Sequence, residues 1–144
     1  MTSTVRRMLE GKPDVYWIGP RATVLEALAL MAEKNIGALL VLEHDALVGI
    51  FSERDYARKV VLLGRASKDT QVGDVMTSPV VCVGADDTAE QCMALMTDHR
   101  FRHLPVLAAG RVVGVISIGD VVRAVISEQA DTISHLVRYI GSGS

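Results

Sequence analysis

Two stretches of this 144-residue chain carry the same arrangement of chemically capable residues: Gly49-Ile50-Phe51-Ser52-Glu53-Arg54-Asp55 and Gly114-Val115-Ile116-Ser117-Ile118-Gly119-Asp120. In each, a serine stands where an apolar run turns polar, and an aspartate follows three residues later. If the apolar run is a strand and the next segment a helix, the serine sits at the helix start. Backbone N–H groups there lack intrahelical partners and carry partial positive charge, which suits a phosphate. The hydroxyls of Ser52 and Ser117 can add a donor. Asp55 and Asp120 come one turn on, and a short carboxylate can accept from both hydroxyls of a ribose. Gly49 and Gly114 leave room for a close approach.

Ser-x-x-Asp is also a capping-box variant, in which serine bonds the third helical N–H and the acid reaches back. The two readings can coexist in one turn. Basic residues able to meet phosphates are Arg54, Lys59, Arg102 and His103. They are not distributed alike. Gly37-Ala38 stands in the first stretch where the second has Arg102-His103, and Ile118-Gly119 stands where the first has Glu53-Arg54. Two sites built on these turns are expected to differ in affinity by more than tenfold, or about 1.4 kcal/mol.

The elements that must position these residues follow from an internal repeat. Shifted by 65 residues, 22–61 aligns without a gap on 87–126, and thirteen of the forty positions are identical. A duplication is the reading that accounts for this. In the first copy, Val24, Leu28 and Met31 fall on one face of a helix over 24–35. Leu39–Leu42 is a short, wholly apolar run, as expected of a buried strand. Glu43–Ala46 makes a turn, Leu47–Phe51 a second strand, and Ser52 opens a helix to about Leu62. The second copy predicts a helix over 88–99, a strand over 104–107, a turn over 108–111, a strand over 112–116 and a helix over 118–127. Short strands are expected before each copy, at Val15–Ile18 and Val80–Val83.

The unit is therefore β-α-β-β-α, and the class is mixed α/β (α+β). One unit of about fifty residues cannot cover such strands alone, whereas two packed face to face can. The expected division is 1–64 as the first repeat with an N-terminal helix, 65–79 as a linker with an apolar knot at Val72, Val75 and Met76, 80–128 as the second repeat, and 129–144 as a C-terminal helix and mobile tail. Ile133, Leu136, Val137 and Ile140 would share one face of that tail helix.

Composition narrows the function classes. Hydrophobic residues make up 49% and aromatic residues 4%, so the core must be aliphatic. The net charge of −2 gives no basic surplus for holding nucleic acid by its phosphates. No apolar stretch reaches the length of a membrane span, and 1–10 lacks the apolar run of a signal peptide. Cys82 and Cys92 form no Cys-x-x-Cys pair and read as buried reduced thiols, so a cytoplasmic setting is expected. A metal site is not expected. His99 and His103 are four apart, but His103 lies beyond the helix end. His44 and His135 stand apart. No nucleophile elbow, phosphate-binding Gly-rich loop or dinucleotide fingerprint is present, so catalysis and a catalytic cofactor are not expected.

At the doubled Gly-h-x-Ser-x-x-Asp signature, at Val75-Met76-Thr77 and at Arg102-His103-Leu104-Pro105-Val106, the chain resembles the CBS domain family, named after cystathionine β-synthase. The resemblance covers about residues 5–128. It implies a tandem pair, or Bateman module, that senses adenine nucleotides in clefts between its repeats and signals by a change of shape. It also implies a ribose role for Asp55 and Asp120, and phosphate roles for Ser52 and Ser117 with Arg54, Lys59, Arg102 and His103. Tyr16, Ile18, Val80, Val81, Val83 and Phe101 are the candidate walls of the adenine slot. Among ligands AMP is placed first, NAD second and ATP third. A twofold homodimer and a protein partner of unknown identity are expected. The rival reading is a constitutive dimerisation scaffold whose clefts hold no physiological nucleotide.

Overall fold

A computed structural model of the chain describes residues 3–12 and 14–143, with side chains described to residue 138. The chain divides into two compact units, Asp14–Val81 and Met1–Pro13 with Cys82–Ser144. Each holds one copy of the repeat.

In the first copy, β1 (Trp17–Ile18) runs parallel to β2 (Ala38–Glu43), which pairs antiparallel with β3 (Ala46–Ser52). Helix α2 (Val24–Lys34) begins at Thr23, whose hydroxyl accepts from the Glu26 N–H, and ends at Asn35 with φ 54°. Asparagine tolerates that left-handed conformation better than most residues. Its apolar face supplies Val24, Ala27 and Met31 to a core with Leu39, Val41, Phe51 and Val60. The helix expected after Ser52 exists but is irregular. One α-turn, α3 (Glu53–Asp55), passes into a π-helical stretch at Tyr56–Val61. The expected linker knot is a helical turn, α4 (Val72–Val75), with Val72 and Val75 buried in the same core.

The second copy repeats this layout. Here β4 (Val83–Gly84) runs parallel to β5 (His103–Ala108), and β5 pairs antiparallel with β6 (Arg111–Ser117). Helix α5 (Ala89–His99) carries a complete capping box between Thr88 and Gln91. Val83, Ala89, Cys92, Met96, Leu104, Val106, Ile116 and Val121 are buried. Both entering strands have two residues: Trp17–Ile18 lies within the expected Val15–Ile18, whereas Val83–Gly84 meets the expected Val80–Val83 only at Val83.

Two expectations are corrected. The short helix α1 (Val5–Met8), expected with the first repeat, packs on the second. Val5 N–H donates to Asp87 O (2.8 Å), Arg6 N–H to Ala85 O (2.9 Å) and Ala89 N–H to Ser3 O (2.9 Å). These match, bond for bond, Val72 to Ala22 (2.9 Å), Gly73 to Pro20 (2.8 Å) and Val24 to Thr70 (2.8 Å) in the first unit. Each repeat thus takes a short helix from a segment outside the gapless match: α4, C-terminal to the first repeat, and α1, at the N-terminal end of the chain, for the second. The second correction is at the C-terminus. The helix expected over 118–127 and the C-terminal helix expected within 129–144 are one, α6 (Ile118–Gly143), because 127–131 contains neither Gly nor Pro to stop it. Ile133, Leu136 and Val137 are exposed on it. The expectation for the side chain of Ile140 lies outside the residues with described side chains, and of the end expected to be mobile, 141–143 continue the helix while 144 lies outside the described residues.

Candidate functional site

Both Ser-x-x-Asp turns fold into the same closed geometry. Strand β3 delivers Ser52 in extended conformation (φ −121°, ψ 165°) and the chain then coils. The Ser52 N–H and hydroxyl donate to Asp55 Oδ2 at 3.0 and 3.1 Å, and the Asp55 N–H donates to Ser52 Oγ at 3.2 Å. At the end of β6 the same three bonds join Ser117 and Asp120 at 2.7, 3.0 and 3.2 Å. The capping reading is therefore realised in both copies. It has a consequence for anion binding. The serine proton is committed to the aspartate, and the first helical N–H is engaged too: Glu53 donates to Gly37 O (3.1 Å) and Ile118 to Arg102 O (2.8 Å).

What remains for a ligand is the rest of each carboxylate, and here the copies differ. Asp55 Oδ1 accepts from the Thr77 hydroxyl (2.9 Å) and pairs with Lys59 Nζ (3.1 Å), one helical turn on. Lys59 also reaches the Met76 carbonyl (3.4 Å). Asp120 Oδ1 pairs with Arg123 (2.8 Å), and its Oδ2 pairs with Lys12 from the segment after α1. Burial acts to raise the pKa of Asp120. The hydrogen bond from Lys12, the Ser117 N–H, the Lys12 charge and the Ser117 hydroxyl outweigh it, and the carboxyl lies below the usual aspartate range.

The segments that bring Thr77 and Lys12 are anchored alike. A β-carbon on Gly49 would run into Met76 Sδ, and one on Gly114 would lie 2.6 Å from Leu9 Cδ2. The two glycines are thus notches for Met76 and Leu9. Thr77 then pairs with Ile50 through Thr77 N–H to Ile50 O (2.8 Å) and Ile50 N–H to Thr77 O (3.1 Å). On the other segment, Gly11 at φ 75° turns the chain, and Lys12 N–H returns to Leu9 O (3.2 Å).

The remaining candidates are dispersed. Register sets His103 directly across from Ser117, as it sets Ala38 across from Ser52. Arg54 is half-buried beside Asp55, and the Arg102 side chain is exposed. Tyr16 and Ile18 pack on the first core, and Lys34 lies over the Tyr16 ring, 5.1 Å from its centroid. Val83 is a core residue at 4% exposure, so it offers little surface to a base. Val80 and Val81 are half-buried and belong to the other unit. Phe101 stacks on His99 at 5.4 Å. Among the described residues, no group of three His, Cys, Asp or Glu side chains could hold a metal ion, and no helix is long and apolar enough to cross a membrane.

Sequence reasoning missed Thr77, Arg123 and Lys12 as partners of the aspartates. Arg123 was open to inference from its i+3 spacing. Thr77 lies in the Val75-Met76-Thr77 motif, whose spacing to Asp55 carries no signal of a contact. Lys12 is 108 positions from Asp120, and no local pattern links them.

The family model of the CBS domain matches residues 6–62 and 72–127. The chain is 43% identical over 132 residues to the mitochondrial CBS domain-containing protein CBSX3 of Arabidopsis thaliana. That match spans 88% of this chain and 64% of the relative, so the chain covers less than two thirds of that protein. Among solved structures, a CBS-domain protein from Burkholderia ambifaria MC40-6 is 50% identical with a TM-score of 0.84, covering 88% of this chain and 96% of that one. The hexameric CBS-CP12 protein from bloom-forming cyanobacteria is 30% identical with a TM-score of 0.76, covering 85% and 71%.

Proposed function

Because the chain belongs to the CBS domain family, whose paired domains are commonly regulatory and ligand-binding, we propose that it is an adenine-nucleotide sensor and not a catalyst. The observation that carries this reading is the pair of equivalent aspartates. Each is held rigidly by its serine through Oδ2. Each otherwise meets hydroxyl, ammonium or guanidinium groups that ligand hydroxyls can replace. Asp55 and Asp120 hold the ribose of bound nucleotide, and Arg54, Lys59, Arg102 and His103 meet its phosphates. AMP is the first choice of ligand, NAD the second and ATP the third. Ligand would shift the protein between shapes by its differential affinity for them.

The same proposal includes a twofold homodimer, a protein partner that reads its surface, and a cytoplasmic setting. Exposed Val122, Ile126, Ile133, Leu136 and Val137 on α6 support association, and one relative is hexameric. The half-buried Cys82 and the buried Cys92 accord with a reducing compartment.

A second reading is favoured by one specific observation: both carboxylates find hydrogen-bond partners within the protein itself. On that view the protein is a constitutive scaffold. A thermal-shift titration with AMP, ADP, ATP, NAD and S-adenosylmethionine separates the two. Ligand at a hundred times its Kd stabilises by about 2.7 kcal/mol, which for a chain of this size raises Tm by about 5–10 °C. The sensor reading expects one nucleotide to do this, with loss of the shift in Asp55→Ala or Asp120→Ala. No shift with any of the five, and no nucleotide released on denaturing the purified protein, leaves the scaffold.

A further inference from the structure

We propose that Lys12 makes the Asp120 site selective for phosphorylated ligands over the bare nucleoside. The inference rests on the nucleotide reading above and adds to it a residue outside both Ser-x-x-Asp turns.

Four observations carry it. First, the Lys12 ammonium is bonded to Asp120 Oδ2, the oxygen that also accepts from Ser117. Second, the pair is shielded: the Asp120 side chain is 11% exposed and that of Lys12 28%. Third, Lys12 is held in place. Leu9 fills the Gly114 notch, α1 is pinned by Val5 and Arg6 to the loop before α5, and the turn through Gly11 closes on Leu9 O. Fourth, the first unit uses a different device. Both aspartates meet a cation on their own helix, Lys59 or Arg123, but in the first unit the short-helix segment contributes a neutral hydroxyl, Thr77, where the second contributes Lys12.

The physical consequence concerns what displaces Lys12. A ribose whose two hydroxyls take up both oxygens of Asp120 displaces the exposed Arg123 from Oδ1 and the partly shielded Lys12 ammonium from Oδ2, and separating the shielded pair without replacing its partner is costly. A nucleoside has no anion to give Lys12 in exchange. A nucleoside monophosphate does, and a phosphate oxygen is a strong partner for an ammonium. Lys12 therefore opposes adenosine and tolerates or assists AMP. At Asp55 the opening move costs less, because a threonine hydroxyl carries no charge, and Lys59 is 41% exposed and already shared with Met76 O.

The test is calorimetry with adenosine and AMP on the full chain, in an Asp55→Asn background that keeps only the Asp120 carboxylate intact. Proteins with Lys12, Lys12→Arg and Lys12→Met are compared. The expected result is a preference for AMP that falls at least tenfold in Lys12→Met, with adenosine binding more tightly than before, and that survives in Lys12→Arg. If the background variant does not fold, Lys12→Met is placed in the native chain, and the amide NMR signals of Gly119 and Asp120 report that site's affinity for each ligand. A ratio of affinities within threefold of the Lys12 protein overturns the assignment while leaving nucleotide binding in place. Absence of binding by either ligand to every variant overturns the nucleotide reading and this inference with it.

Discussion

Leu9 occupies the space that a side chain on Gly114 would need, at 2.6 Å from the β-carbon position, and by this contact the N-terminal segment is seated on the second repeat. Gly114→Ala should therefore destabilise the protein by about 1–2 kcal/mol through overpacking. Leu9→Ala should relieve most of that penalty in the double variant. Urea midpoints of the four proteins form a double-mutant cycle. Additive effects would show that Leu9 and Gly114 are not in contact.

The serine hydroxyls are expected to matter for stability more than for ligand. Each donates its proton to an aspartate and accepts from that aspartate's N–H. Ser52→Ala and Ser117→Ala should each cost about 1 kcal/mol, as lost helix caps do. They should retain a nucleotide-induced rise in Tm that Asp55→Ala or Asp120→Ala loses. A serine variant of full stability that no longer responds to nucleotide would place the hydroxyl on the ligand instead.

Asp120 predicts an acid dependence. Its folded pKa lies below the usual value, since the bonds from Lys12 and Ser117 outweigh the opposing effect of burial. A carboxyl of this kind contributes stability in full above its unfolded value, about pH 4, and loses it as pH falls through the lower folded value. Asp120→Asn should therefore lie furthest below the parent protein near neutral pH and approach it below about pH 4. Unfolding midpoints between about pH 3 and pH 7 check this. A gap that stays constant across the range would show that Asp120 titrates normally.

The hairpin of the second repeat carries a correctable strain. Ala109 sits at φ 52° in the two-residue turn between β5 and β6, beside Gly110 at φ 77°. Turns with two positive φ values favour Asn-Gly, and an alanine there is disfavoured. Ala109→Asn should stabilise by about 0.5–1 kcal/mol. A lower Tm in this variant would mean that the turn does not hold this conformation in solution.

The two thiols should differ in reactivity. Cys92 is buried, and its pKa is pushed up to about 11 by burial first and then by the Asp87 charge. Cys82 is half-buried and raised by burial alone. The thiolate is the reactive form, so a maleimide at about pH 7.5 should modify Cys82 well before Cys92. Mass spectrometry of a Cys82→Ser variant should show little labelling until denaturant is added. Prompt labelling of Cys92 would contradict its burial.

Much of the fold was legible in the residues. The 65-residue self-match, the wholly apolar runs at 39–42 and 104–107 and the helical spacing of Val24, Leu28 and Met31 located the repeated elements to within a few positions. The Ser-x-x-Asp turns were legible because three residues span one helical turn, and that geometry is set locally. The entering strands were overestimated, since apolar character alone does not say how far a ladder of hydrogen bonds extends. The unbroken α6 was missed because an amphipathic tail reads the same whether it follows a loop or continues a helix.

By itself, then, the sequence determined what is local: two copies of one β-α-β-β-α unit, each ending in a strand-to-helix turn that pins an aspartate to a serine. Tertiary structure decided what each aspartate meets next. The bonds of Val5 and Arg6 to the second repeat, and of Val72 and Gly73 to the first, join segments outside the gapless match. They depend on which glycine notch accepts Leu9 and which accepts Met76. Nothing in the spacing of Lys12 and Asp120 anticipates their pairing, because it is made by packing across 108 residues, and packing selects partners by shape and burial rather than by position along the chain.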